Sequence, residues 1–208
     1  MHCPHCQNVT ISKGYDWRDI PDLAEIIGET AFVNSGVVFS GGECTEQPEA
    51  LIELADTCKT TFKMNVGIHT SGIHAEVIQR LLDRALVDWI ALDIKKVWSK
   101  YATDDVIRTL DLCKHARLKN PLFSFEVVIT VFKENLTEIT DIINQVGDVD
   151  LVLSQGMLGR VPSVSDDDLM RIADRSGKNV RIRSTKNGEY KYSSQTPANS
   201  QHKLSTDR

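Results

Sequence analysis

The sequence has no second Cys-x-x-Cys. Its one such pair is Cys3-Pro4-His5-Cys6, and Cys44, Cys58 and Cys113 lie scattered beyond it. That spacing excludes a ferredoxin-like second cluster and leaves a zinc ribbon two ligands short. No apolar run is long enough for a helix to cross a bilayer, and no charged-then-apolar segment opens the chain. There is no basic excess either. With 24 Lys and Arg against 29 Asp and Glu, the net charge is −5, so no global field draws the chain to nucleic acid or anionic lipid. An odd count of five cysteines without a secretory signal argues against a disulfide framework and for a reducing cytoplasm. Only Met1-His2 stands ahead of the Cys3–Cys6 pair in this sequence, so the pair is expected either to stand alone or to belong with residues upstream.

What is present is an alternation. At 208 residues and 41% hydrophobic, the chain can bury a real core. Val37–Ser40 reads as a short strand stopping at Gly41-Gly42. Pro48 opens a helix to about Lys59, with Leu51, Ile52, Leu54 and Ala55 at helical spacing. Strands follow at 64–69 and 88–92, with a helix over 75–84 between them and another over 104–117. A strong strand over 123–131, a helix ending near Val146, a strand over 150–153, a helix capped by Ser165 and a last strand over 180–183 complete the pattern. The fold class is α/β. Repeated βαβ units imply a parallel sheet, closed as an open doubly wound sheet or as a full or partial (β/α) barrel. Residues 1–192 are expected to form one domain. The Ser-, Gln- and Asn-rich stretch 193–208 is expected to be a disordered tail.

In either closure the chemistry sits at the C-terminal ends of the strands. Three consecutive units offer polar groups there. Gly41-Gly42 lets backbone approach a ligand closely, and Glu43 brings a carboxylate suited to an ammonium group. Thr70 and Ser71 offer hydroxyls beside Gly72. Asp93 and Lys95 put opposite charges on one face, because side chains two apart in a strand point the same way. Each motif alone has a plain explanation: a tight turn with a solvated Glu, turn hydroxyls, a surface ion pair.

Cys3 and Cys6 admit three readings. A zinc site needs two more ligands, and His69 and His74 are placed at a strand end and a helix start rather than on one loop. A thioredoxin-like dithiol suits Cys-Pro-His-Cys, but it needs a preceding strand and a following amphipathic helix. The third reading is an iron–sulfur cluster with a further ligand upstream.

The combined motifs resemble those of radical S-adenosylmethionine (SAM) enzymes of the glycyl-radical-enzyme activase type. The activating proteins of anaerobic ribonucleoside-triphosphate reductase are the most similar. Cys3-Pro4-His5-Cys6 fits the second half of that family's Cys-x-x-x-Cys-x-x-Cys loop, with His5 in the aromatic place. Ser40-Gly41-Gly42-Glu43 and Gln47-Pro48-Glu49 match the Gly-Gly-Glu element that holds the SAM amino group. Thr70-Ser71-Gly72, Ala91–Lys95 and Val180–Ser184 followed by Asn187-Gly188-Glu189 continue the likeness, which covers roughly residues 1–192.

The resemblance implies a partial (β/α) barrel of the radical SAM type and an enzyme with two cofactors, a [4Fe–4S] cluster and SAM. Cys3 and Cys6 are implied as metal ligands. His5, Gly41, Gly42, Glu43, Thr70, Ser71, Asp93 and Lys95 are implied as cofactor-binding residues, with no catalytic side chain beyond the cofactors. The implied activity is reductive cleavage of SAM to generate a glycyl radical on a partner, most closely anaerobic ribonucleotide reductase, with flavodoxin or ferredoxin as electron donor. The family's first cluster cysteine would fall two residues before Met1. That implies a missing N-terminal segment and first strand, and a chain that binds a cluster poorly as it stands. Cys44 replaces the usual Pro after Gly-Gly-Glu; packing is its default role, as for Cys58 and Cys113. A radical SAM enzyme acting on a small molecule such as a deazapurine precursor, and a cluster-deficient binding module, remain the alternatives.

Overall fold

The computed structural model describes residues 18–94 and 104–194. The readings placed on Cys3, His5, Cys6, Lys95 and the tail beyond Ser194 lie outside the described residues. The strands are β1 (Gly36–Phe39), β2 (Asn65–Thr70), β3 (Trp89–Ile94), β4 (Ser124–Val131), β5 (Asp150–Gln155), β6 (Met157–Leu158), β7 (Val161–Pro162), β8 (Val180–Ser184) and β9 (Gly188–Tyr192). The helices are α1 (Ile20–Thr30), α2 (Pro48–Thr60), α3 (Ala75–Asp83), α4 (Asp104–Lys119), α5 (Ile139–Val146) and α6 (Asp166–Ser176). The main sheet has seven strands in the order β1-β2-β3-β4-β5-β8-β9. The expected α/β class with a mostly parallel sheet is what the chain adopts. Two compact units divide it: Met1–Asp93 with Ala102–Glu126, and Ile94–Tyr101 with Val127–Arg208.

In the first unit β1, β2 and β3 pair in parallel, Val38 opposite Gly67 and Thr70 opposite Leu92. The middles of β2 and β3 are buried continuously, as expected of parallel strands covered on both faces. Gly67 is required there: a Cβ would stand 2.6 Å from the Trp89 ring. Helix α2 starts at Pro48, whose missing N–H costs nothing at a first turn, and buries Leu51, Ile52, Leu54, Ala55 and Cys58. Lys59 at its end reaches the Asp88 carboxylate at 2.7 Å, and the same carboxylate accepts the Val66 N–H at 2.7 Å. Helix α3 buries Ala75, Val77, Ile78 and Leu81, and α4 buries Val106, Thr109, Leu110 and Cys113. Helix α1 was not expected from the sequence. Asp19 caps it through the Asp22 N–H at 2.8 Å, and none of its residues is buried.

In the second unit α5 buries Ile139, Ile142, Ile143 and Val146. Helix α6 begins with the expected Ser165 cap, a reciprocal box in which Asp168 accepts the Ser165 N–H at 2.8 Å and Ser165 Oγ accepts the Asp168 N–H at 3.2 Å. The Ser165 N–H, the Ser165 hydroxyl donating at 2.8 Å and Arg171 hold the Asp168 carboxyl down at about 2. Strand β8 pairs in parallel with β5 but is not the last strand. Strand β9 follows it antiparallel, fastened by Arg181 and Arg183 to Glu189 at 2.6 and 2.9 Å. The β6–β7 hairpin after β5 is a second element the periodicity did not predict.

Candidate functional site

Strand β1 runs out at Ser40-Gly41-Gly42-Glu43 in the first unit. Gly41 holds φ +109°, a conformation that side chains rarely adopt, and around Gly42 there is open space where a Cβ would stand. The chain then turns through a short 3₁₀ segment, Cys44–Glu46, for which Glu43 is the cap. The cap is unusual in its reach. Glu43 Oε1 accepts the hydroxyls of Thr45 at 2.7 Å and Thr70 at 2.8 Å, with the Thr45 N–H at 3.3 Å. Its Oε2 accepts the Ser71 N–H at 2.7 Å and the Ser71 hydroxyl at 2.6 Å. One carboxylate thus clasps the ends of two neighbouring parallel strands.

Glu43 is only 8% exposed. Burial on its own raises a carboxyl pKa, but the Ser71 hydroxyl and amide and the Thr45 and Thr70 hydroxyls outweigh it and hold Glu43 below its ordinary value. The group is therefore a fixed, buried negative charge. Its donors are mostly hydroxyls, which can rotate and also accept. Among the described residues no positive side chain pairs with Glu43, so an ammonium group entering over Gly42 would meet that charge directly.

A second layer holds the clasp. Thr70 Oγ1, while donating to Glu43, accepts the Gly72 N–H at 3.0 Å. The Gly72 carbonyl accepts the Thr109 hydroxyl of α4 at 2.9 Å, and Thr109 is fully buried. Gly72 takes φ +79°, and a Cβ there would stand 2.6 Å from Leu92 Cδ1 and 3.3 Å from Thr109. Neither Thr45 nor Thr109 was picked out in the sequence. Thr45 lies two residues past Glu43 and could have been read as its capping partner, whereas Thr109 is one polar position within an otherwise apolar helical stripe.

Of the predicted site residues, the structure brings Gly41, Gly42, Glu43, Thr70 and Ser71 together. Thr70 and Ser71 turn their hydroxyls onto Glu43. Asp93 is half-buried in β3, one residue beyond the Leu92 that pairs with Thr70. Cys3, His5, Cys6 and Lys95 lie outside the described residues. Among the described residues no three His, Cys, Asp or Glu side chains group as a metal site. His69 stands edge-on to Trp89 with ring centroids 5.0 Å apart.

Cys44 has a thiol that donates to the His69 carbonyl at 3.4 Å. Burial, and then the Glu43 charge beside it, push its pKa up to about 12. A proton held that firmly suits a packed donor rather than a thiolate ligand. Peptide mapping after brief iodoacetamide treatment at neutral pH should find Cys44 unmodified in folded protein and labelled in urea. Rapid labelling of the native state would refute the packed-donor role.

The donor set fits the amino-acid end of SAM: a buried carboxylate charge beside a glycine with room above it. Residues 1–146 match the radical SAM superfamily. The chain belongs to the radical SAM superfamily, whose members use a [4Fe–4S] cluster and SAM. A protein of Methanocaldococcus jannaschii, assigned as a glycyl-radical enzyme activating enzyme, is 32% identical over 170 residues, covering 74% of this chain and 68% of that one. The chain is an enzyme homologue of that class. Among the solved structures that share the fold, two serve for comparison. One is a domain of pyruvate-formate lyase-activating enzyme from Bacteroides vulgatus, with TM-score 0.51 at 14% identity over 73% of this chain and all of that one. The other is anSMEcpe with bound AdoMet, with TM-score 0.56 at 17% identity over 84% of this chain and 55% of that one. No helix among the described residues is long and apolar enough to cross a membrane.

Proposed function

We propose that this protein is a cytoplasmic activase that places a glycyl radical on anaerobic ribonucleoside-triphosphate reductase, taking its electron from a flavodoxin or ferredoxin. The observation that carries the cofactor assignment is the Glu43 clasp at the end of β1. Glu43 holds the SAM ammonium by charge, and Gly41-Gly42 lets the backbone approach it. Thr70 and Ser71 fix the carboxylate by donating to it, while Asp93 and Lys95 contribute a diol acceptor and a carboxylate partner. Cys3 and Cys6, with His5 between them, supply two thiolates of the cluster loop; thiolate is the ligand that iron–sulfur clusters select. When bound, the cluster and SAM together supply a one-electron cleavage and a hydrogen-abstracting radical. Residues 1–192 act as one functional domain, and 193–208 as a tail.

Anaerobic incubation of the full-length gene product with the reductase, SAM and reductant should give the EPR doublet of a glycyl radical. SAM cleavage that depends on an added small molecule, with no glycyl radical, would overturn the reading. Gly42→Ala separates fold from site. Nothing lies within 4 Å of the added methyl, so stability should move by no more than about 0.5 kcal/mol. SAM affinity should fall roughly 10-fold or more, since the methyl occupies the cofactor's approach. Equal SAM affinity by equilibrium dialysis would remove Gly42 from the site.

A further inference from the structure

We propose that the β6–β7 hairpin of the second unit is the finger that docks the protein substrate, receiving an extended segment with apolar side chains next to an acidic one. This rests on the reading above that the substrate is a protein.

The hairpin is fixed at its root and bare at its tip. Gln155, almost fully buried, uses both ends of its amide. Its Nε2 donates to the Val164 carbonyl at 2.7 Å, and its Oε1 accepts the N–H and hydroxyl of Thr185 at 3.0 and 2.9 Å. Gly156 donates to the Val131 carbonyl and accepts from the Ser163 N–H, both at 2.8 Å. A Cβ on Gly156 would stand 2.6 Å from both Phe132 and the Val131 carbonyl, so the chain passes where only glycine fits. Ser163, 3% exposed, accepts the Lys133 N–H at 3.1 Å. The turn it grips is itself locked, Asn135 accepting the Phe132 N–H at 2.8 Å and donating to the Thr130 carbonyl at 3.0 Å.

The tip is Leu158-Gly159-Arg160-Val161. Gly159 at φ +63° is the first central residue of a two-residue turn, the place where a II′ hairpin takes glycine. Leu158 and Val161 face each other across the strands, 42% and 66% exposed. Among the described residues Arg160 has no ion-pair partner.

Three features select the occupant. A two-stranded finger is convex, whereas small ligands bury themselves in concave sites. Nucleic acid would require several cations, and one arginine on an acidic chain does not provide them. An extended polypeptide meets all that is offered: the edge of β6, unpaired among the described residues (β7 ends in Pro162, which has no N–H to donate), an apolar pair, and a guanidinium that recognises carboxylate. The rigid root lowers the ordering cost of that contact.

The test uses the purified full-length protein with anaerobic ribonucleoside-triphosphate reductase as probe. L158S/V161S and R160E change exposed positions only and should retain wild-type SAM affinity. Their affinity for the reductase, read by biolayer interferometry, should drop about 10-fold or more. Glycyl-radical formation should fall at low reductase and recover as its concentration is raised. Wild-type binding to the reductase with both variants equally tight would overturn the hairpin assignment alone. Wild-type protein that neither binds nor activates the reductase would overturn the partner reading, and the docking assignment with it.

Discussion

Glu43→Gln should lose SAM affinity by roughly 30-fold or more, because a buried charge is removed from beneath an ammonium group. The substitution keeps the shape and changes only the chemistry. The Ser71 N–H cannot reverse, so the new amide oxygen must take the Oε2 place, 2.7 Å from that donor. The amide NH₂ then faces the Thr45 and Thr70 hydroxyls, which rotate to accept it, and the Thr45 N–H, which cannot. The fold should therefore lose about 1–3 kcal/mol, far from unfolding it. Acid titration gives an independent reading. Glu43 sits below its ordinary value of 4.5 in the folded protein. A depressed carboxyl contributes stability that is fully present above the unfolded value and disappears as pH falls through the folded one. Wild-type protein should lose stability to urea as pH falls through and below 4.5, and Glu43→Gln should lose less over the same range. Parallel pH slopes for the two proteins would show that the clasp does not charge as described.

How much of this was legible depends on where each interaction is encoded. Strands β2 and β3 announced themselves as apolar runs because both their faces are covered, and Pro48 marked a helix start through its own geometry. Helix α1 was legible but was missed: Asp19 as cap, Pro21 in the first turn and Ile20, Leu23, Ala24 and Ile27 at helical spacing mark it, and that stripe is half-buried in the structure. Strands β6 and β7 have two residues each, too short for a period of two to register. Strand β9 is half-exposed and depends on Arg181 and Arg183 across the turn, a pairing that one strand read alone does not contain. The site divides in the same way. Gly41-Gly42-Glu43 is contiguous and was readable. The bonds that fix Glu43 come from Thr70 and Ser71, 27 and 28 residues away, and their support comes from Thr109, 37 residues from Gly72. Those distances close only in the folded sheet, so the sequence showed hydroxyls available to a ligand where the structure shows them committed to a carboxylate.

That commitment makes Gly72→Ala a damaging small substitution in the first unit. Two costs add. Holding alanine at φ +79° costs on the order of 1 kcal/mol. The new methyl must also fit 2.6 Å from Leu92 Cδ1, in a core where Leu92 and Thr109 are both fully buried, which costs about 1–3 kcal/mol more. Urea unfolding should show a loss of about 2–4 kcal/mol. SAM binding should weaken as well, since any shift of Gly72 pulls on its bonds to Thr70 and Thr109 and through Thr70 on Glu43. Leu92→Val separates the two costs by removing the atom that the methyl would strike. If the clash dominates, the double variant should be more stable than the sum of the single losses predicts, by about 1 kcal/mol or more. Additive losses would leave backbone strain and the 3.3 Å contact with Thr109 as the cause. The Leu92 packing would then have no part in holding the Thr70–Gly72 turn against Glu43.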